Sequence, residues 1–376
     1  MYFQERTEEM KRKLFSIVLS VCMILSCVSP ALAAESSNIS AGNVVLEEEI
    51  IERTKCVLQF MEPEKELYGM GNVNFASLYL GTQIPAYVVK STGIVAETDI
   101  LYYPIMSGTE WVATAVVTTD SFGNINVQIS TDYAETYEDE GTPSEVALVF
   151  DDTAAYVVTE QKSMLAAVSP NVIPGRESIQ TCSGGVNVNR TDLTAKHAIG
   201  SASTYSTRSF DNQYYLQVPC IQQAENSLQC WAACIASIRG YYGTTTTIDD
   251  VYTKAGVTKY LGADIYTAAS TLESYGFTVT WRWDGSYNWY QLRTAICLNE
   301  TPIYTGCTYS TTSGHAVVIR GFYVYQNISQ VGIISYMDPA TGTYVASSVA
   351  TDGDFYYVPS GCSAQYTMSS FLEVAE

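Results

Sequence analysis

The sequence predicts an α+β protein made of two units behind an N-terminal leader. Three observations carry that expectation. The chain has 376 residues, more than one hydrophobic core of ordinary size takes up. Its charge is uneven: residues 35–211 hold 24 acidic and 9 basic side chains, whereas residues 212–376 hold 12 and 6. The hydrophobic period also changes, from alternating β-branched runs in the first unit to an apolar stretch at helical spacing, followed by strands, in the second.

The leader comes first. Met10-Lys11-Arg12-Lys13 is a basic head, residues 14–28 an apolar middle, and Ala31-Leu32-Ala33-Ala34 a small-residue cleavage site. That order predicts a signal peptide over residues 1–34, with the true start at Met10, and a secreted product. The apolar run is too short for a convincing bilayer span, and no later segment is long and apolar enough. Lipid anchoring at Cys27 is a lesser alternative, because bulky Leu25 stands where small residues are usual.

Residues 35–182 read as a small α+β domain. Residues 44–61 are charged and periodic enough for one helix. Strands are expected over 75–80, 86–89, 98–104, 110–119, 125–129 and 144–150, with Phe122-Gly123-Asn124 as a turn, and together they predict one small sheet. Residues 183–211 are rich in Ser, Thr, Gly and Asn without a sustained apolar period, which predicts a linker. Arg190, Lys196 and Arg208 offer processing points there, and His197 is expected to be a mobile linker histidine.

The second unit, residues 212–376, opens with its most informative stretch. Trp231, Cys234, Ile235, Ile238 and Tyr242 recur at three- and four-residue steps, the helical period, with Ser227 as a candidate N-cap and Gly243 as a stop. Cys230 then sits in the first turn, where unpaired N–H groups and the helix dipole favour an anionic nucleophile. The plainer alternative is a small buried residue on an amphipathic helix.

A second candidate lies about 85 residues downstream. The chain has two histidines, His197 and His315, so the choice of a base for Cys230 is narrow. Gly314 and the apolar run 315–322 predict a buried strand; after the polar turn 326–330 a second strand follows over 331–336, ending at Asp338-Pro339. Folding that hairpin about Gln326-Asn327 brings His315 opposite Asp338, where a carboxylate holds one imidazole tautomer. The plainer alternatives are a satisfied histidine at a strand start and an ordinary Asp-Pro turn.

Cysteine count bounds the rest. Cys22 and Cys27 belong to the leader, leaving Cys56, Cys182, Cys220, Cys230, Cys234, Cys297, Cys307 and Cys362. With Cys230 set aside an odd number remains, so the framework cannot be fully disulfide-paired. Cys230 and Cys234 share a helix face, which raises a metal site with His315; structural zinc usually wants four ligands at paired short spacings that this chain lacks, so no metal or other cofactor is expected.

Val218-Pro219-Cys220-Ile221-Gln222-Gln223, Cys230-Trp231-Ala232-Ala233, Gly314-His315-Ala316-Val317-Val318-Ile319-Arg320-Gly321-Phe322 and Tyr336-Met337-Asp338-Pro339 resemble bacterial papain-like cysteine peptidases, in particular bacteriocin-processing peptidases and secreted effector peptidases of plant-pathogenic bacteria. Between these motifs, residues 283–305 look like the family's helix and a Pro302-containing lead-in to the strand before the histidine. The resemblance implies a two-lobed catalytic domain, a helical lobe beside an antiparallel β lobe. It also implies Cys230 as nucleophile, His315 as general base and then acid, Asp338 as orienter, and an upstream glutamine that shares the oxyanion hole with the Cys230 N–H. The family's usual place for that glutamine is position 224, an alanine here, so Gln223 is the expected donor, with Gln222 the alternative and Gln229 turned elsewhere.

The expected activity is therefore a secreted, bacterial, monomeric cysteine peptidase made as a zymogen. Its partners would be a peptide or protein substrate and its own N-terminal domain as inhibitor, a role that resembles the propeptides of other secreted cysteine peptidases; an accessory binding module is the alternative for that domain. Amide acyl transfer, a peptidoglycan amidase, and an inactive binding protein on the same scaffold stay open beside it. The formal net charge of −20 and the lack of a phosphate-binding glycine loop argue against nucleic acid and anionic membrane partners.

Overall fold

A computed structural model of the chain describes residues 41–90, 93–120, 123–138, 145–150, 155–159, 166–168, 191–192, 195–200, 213–224, 227–283, 288–308, 314–324, 331–350, 355–358 and 365–376. The expected signal peptide, Cys182, Arg190, Arg208 and Cys362 lie outside the described residues. No helix among the described residues is long and apolar enough to cross a membrane.

Helix α1 (Ala41–Met61) runs into a 3₁₀ segment over Glu62–Tyr68, with Pro63 in its first turn and Gly69 ending it at φ +76°. Strands β1 (Leu78–Gly81), β2 (Ala86–Lys90), β3 (Gly93–Ala96), β4 (Leu101–Ser107), β5 (Glu110–Thr119) and β6 (Ile125–Ser130) come next. Helix α2 (Asp132–Glu138) separates them from β7 (Glu145–Phe150), β8 (Ala155–Thr159), β9 (Ala166–Val168), β10 (Thr191–Asp192) and β11 (Ala195–Ala198). The second half begins with β12 (Gln213–Tyr215) and helices α3 (Cys230–Tyr241), α4 (Ile248–Ala255) and α5 (Ile265–Ser274), followed by β13 (Thr278–Trp283) and α6 (Trp289–Arg293). It ends with β14 (Ile303–Thr308), β15 (Gly314–Val324), β16 (Val331–Asp338), β17 (Thr343–Ala350), β18 (Tyr356–Tyr357) and β19 (Tyr366–Ala375). The fold class is α+β, dominated by antiparallel pairing.

The first half does not form the single small sheet that its sequence suggests. Among the described residues, one sheet has the order β3-β2-β7-β8-β9, with β10 on β7; the remaining N-terminal strands belong to a 13-stranded sheet shared with the second half, in the order β11-β1-β4-β5-β6-β17-β16-β15-β14-β19-β13, with β12 on β15 and β18 on β19. The junction is β6 against β17, with Ile129 opposite Ala346 and Gln128 opposite Ser347. The physical reason lies in β6. Its alternating polar residues suggest a strand with one wet face, yet all six residues are buried. Gln128 donates from Nε2 to the Val358 carbonyl at 2.7 Å and accepts from the Val358 N–H at 3.0 Å and the Tyr336 hydroxyl at 3.1 Å. A buried amide with partners in the second half turns an apparent surface into an interior.

One apolar cluster accordingly joins both halves, from Val57, Phe60 and Met61 of α1 through Ile129 to Phe322, Ile334 and Val345. Helix α1 packs on β6, β16 and β17. Part of the expected linker is also strand: β11 pairs with β1, Leu80 opposite His197, and His197 Nε2 lies 3.0 Å from Glu47 Oε1 on α1. His197 is thus held in a strand rather than in a loose linker, because β1 offers an edge for residues 195–198 to pair with.

The helices of the second half stack around α3, which packs on β14, β15, α4 and α5. Residues 231–238 are all buried, as befits a helix apolar on every side. Helix α4 starts at a capping box, with Thr247 and Asp250 each accepting the other's backbone N–H.

Candidate active site

The start of α3 sets the first site residue. Ser227 does not cap the helix; its Oγ donates to the Ala224 carbonyl at 2.6 Å and closes the loop ahead of it. Gln229 stands at the cap with φ −90° and ψ 0°, and its carbonyl accepts from the N–H groups of Ala232 at 3.0 Å and Ala233 at 2.9 Å. Its side chain turns back into the loop, accepting the Ala224 N–H at 3.1 Å. Cys230 is therefore the first helical residue, half-buried and unpaired by disulfide. The helix stops where predicted: Gly243 takes φ +79° and Thr244 donates to the Arg239 carbonyl at 2.9 Å.

His315 follows Gly314 at the start of β15, opposite Cys307 of β14. The β15–β16 register differs from the simple hairpin fold. Val318 faces Met337, and after an irregularity between Ile319 and Gly321 the pairing runs Gly321 with Ser335 to Val324 with Gly332. Continued by one step, that register sets Asp338 opposite Val317, two residues from His315 and on the same face of the sheet. The side chains meet diagonally: His315 Nε2 lies 2.8 Å from Asp338 Oδ1, both side chains being buried. Asp338 is fixed in turn, because the same Oδ1 accepts the Ala340 N–H at 2.9 Å and its carbonyl accepts the Gly342 N–H at 2.9 Å.

Electrostatics tie Cys230 to this pair. Burial alone would push the His315 imidazole down, but the Asp338 carboxylate, by charge and hydrogen bond, and then Cys230, by hydrogen bond and charge, raise it to about 10. Nε2 faces Asp338, so Nδ1 is the ring nitrogen that this carboxylate does not engage. Burial pushes Cys234 and Cys307 well above the ordinary thiol range, so both stay protonated. Among the described residues no group of three or more His, Cys, Asp or Glu side chains is arranged to hold a metal ion.

The two glutamines diverge. Gln223 is buried, its backbone N–H donates to the Pro339 carbonyl at 2.8 Å, and its Nε2 donates to the Ser227 carbonyl at 3.2 Å. That ties it both to the residue after Asp338 and to the loop before Cys230. Gln222 is exposed and lies against Gly342, where an added Cβ would come within 2.8 Å of the Gln222 Cβ.

Sequence reasoning missed the contacts of Trp231, the residue after Cys230. The buried Trp231 donates from Nε1 to the Leu261 carbonyl at 3.1 Å, and the Tyr252 hydroxyl donates to the same oxygen at 2.7 Å. This anchors a loop that exposes Tyr260 and Leu261, with Leu228 close to Gly262 and Tyr266 exposed on the next helix. Large exposed apolar side chains on and around one loop are a signal the sequence carried only as isolated residues.

Two solved structures resemble the chain. The peptidase domain of Streptococcus ComA, a bi-functional ABC transporter involved in a quorum sensing pathway, has 14% identity and a TM-score of 0.29, covering 42% of this chain and 98% of that one. A double glycine motif protease from an AMS/PCAT transporter, in complex with the leader peptide, has 17% identity and a TM-score of 0.28, covering 43% of this chain and 94% of that one. No curated protein matches the chain. Residues 212–351 match the family model described as papain-like cysteine protease AvrRpt2. Those residues span Gln223, Cys230, His315 and Asp338, and the match identifies them as a papain-like, cysteine-type peptidase segment.

Proposed function

We propose that the chain is a secreted bacterial cysteine endopeptidase that cleaves peptide bonds through Cys230, His315 and Asp338. The observation that carries the reading is the buried 2.8 Å contact between His315 and Asp338, on a ring whose pKa is also raised by Cys230, the first residue of α3. In this mechanism the Cys230 thiol passes its proton to His315, Sγ attacks the scissile carbonyl carbon, and the C–N bond breaks as His315 gives that proton to the leaving amine. A water then loses a proton to His315 and attacks the thioester, releasing the carboxylic acid and the thiol. Asp338 favours the imidazolium, the form that protonates the amine. Gln223 and the Cys230 N–H would take the oxyanion between a helical lobe, α3 to α5, and an antiparallel β lobe.

The exposed Leu228, Tyr260, Leu261 and Tyr266 favour substrates with an apolar side chain near the cleaved bond. Secretion rests on the leader sequence. Latency, with the N-terminal unit as inhibitor, rests on the order of segments in the chain. The deciding experiment compares Cys230→Ala and His315→Ala with the parent on a peptide library. Each is expected to lose on the order of a thousandfold or more in kcat. Parent-like turnover by Cys230→Ala would end the reading, whereas covalent capture of Cys230 by a thiol-directed peptide inhibitor would exclude the inactive binding scaffold.

A further inference from the structure

Residues 41–200 are joined to residues 213–376 by far more than the connecting chain. We propose that the N-terminal unit is a permanent part of the folded peptidase, the partner that its β17 edge and its buried Arg320 require. Cutting the chain within residues 201–212 would then leave the two pieces bound to each other.

Arg320 carries the inference. It sits in the middle of β15, its side chain 0% exposed, with Nε donating to the Leu216 carbonyl at 2.9 Å and Nη1 to Ser335 Oγ at 3.3 Å. The Tyr344 ring lies 3.8 Å from its guanidinium carbon. Its carboxylate partner comes from the other unit: Nη2 donates to Glu64 Oε2 at 2.7 Å, and the second oxygen of Glu64 accepts from Gln217 at 3.0 Å. A buried guanidinium deprived of its carboxylate is strongly unfavourable, so the second unit folded alone would carry an uncompensated charge in its core. Tyr68 reinforces the clamp, its hydroxyl 2.8 Å from Ser335 Oγ.

The sheet points the same way. Without β6, strand β17 would be an edge with unpaired backbone groups, and Val358 would lose both hydrogen bonds to Gln128. Without α1, apolar residues of β16 and β17 would face water. The clamp at Arg320 falls five residues along β15 from His315, about 16 Å of extended strand. Docking therefore depends on packing and not on the peptidase reading, and any latency would have to be relieved without loss of the unit.

The test uses the full chain with an endoprotease recognition sequence placed in residues 201–212. After complete cutting, gel filtration at low micromolar concentration is expected to give one species containing both pieces. Elution as two separate pieces would overturn the proposal. Glu64→Ala, verified as folded before cutting, is expected to weaken the cut pair by about a hundredfold or more, with Glu64→Gln intermediate. Unchanged affinity in Glu64→Ala would remove Arg320 as the clamp. Labelling of Cys230 on the same samples reads the peptidase activity separately, so either idea can fail without the other.

Discussion

The His315–Asp338 pair makes a prediction that can be followed at a single ring. The imidazole is raised from 6.5 to about 10. At about 1.4 kcal/mol per pH unit, that gap corresponds to about 5 kcal/mol of preference for the charged ring in the folded state. The sign follows from the direction of the shift. Because the folded value lies above the unfolded one, the contribution is fully present below about pH 6.5 and is lost as pH rises through about 10. Between pH 7 and pH 9 the loss from this group is expected to be about 2 to 3 kcal/mol. Asp338→Asn removes the larger of the two raising influences and leaves burial to push the ring down, so its stability should fall less over that interval. Cys230→Ala removes the smaller influence and should shift the ring less. With His197 replaced, one imidazole remains to be followed by NMR, beside urea unfolding at each pH. An imidazole in Asp338→Asn that titrates where the parent's does, or equal loss of stability between pH 7 and pH 9, would refute the pairing as the cause.

Two further outcomes concern substrate and transition state. Gln223→Ala is expected to lower kcat by roughly ten- to a thousandfold with little change in KM, whereas Gln222→Ala, exposed over the β16–β17 turn, should be near neutral; steady-state kinetics decides, and the reverse ranking would move the oxyanion donor. Leu261→Asp keeps the carbonyl that Trp231 and Tyr252 hold but removes apolar surface, so KM for peptides with apolar side chains should rise about tenfold or more while kcat changes little. An unchanged KM would detach that loop from substrate binding.

Local periodicity was a good guide wherever a segment's environment was set by its own residues. The helix expected over 44–61 spans Ala41–Met61, and the strand expected over 110–119 is β5. The diagonal meeting of His315 and Asp338 survived a two-residue error in register because such a slip preserves the face. The irregularity between Ile319 and Gly321 was not legible. It depends on tertiary approach: a Cβ on Gly321 would come within 2.8 Å of the Tyr214 carbonyl oxygen. Sheet continuity was also hidden, since Asn126 and Gln128 look like a solvent face until their partners are known. One signal was present and went unread. Arg320 stands in the apolar run 315–322, and a charge at such a position needs a partner from elsewhere in the chain.

That unread charge connects the architecture to the site. His315 and Asp338 come from β15 and β16, and neither strand is an edge: β15 is flanked by β14 and β16, and β16 by β15 and β17. Strand β17 pairs with β16 along its whole length, from Val331 with Ala350 to Asp338 with Thr343, and is itself closed by β6. Edges and strand ends open most readily in folded proteins, and an opening of β17 would release the turn that fixes the Asp338 carboxylate. The N-terminal unit supplies the strand that makes β17 interior, and Glu64 neutralises the Arg320 guanidinium buried in β15. Its contribution to the geometry at His315 thus runs through the sheet, from β6 to β17 to β16, and requires no contact with the cleft.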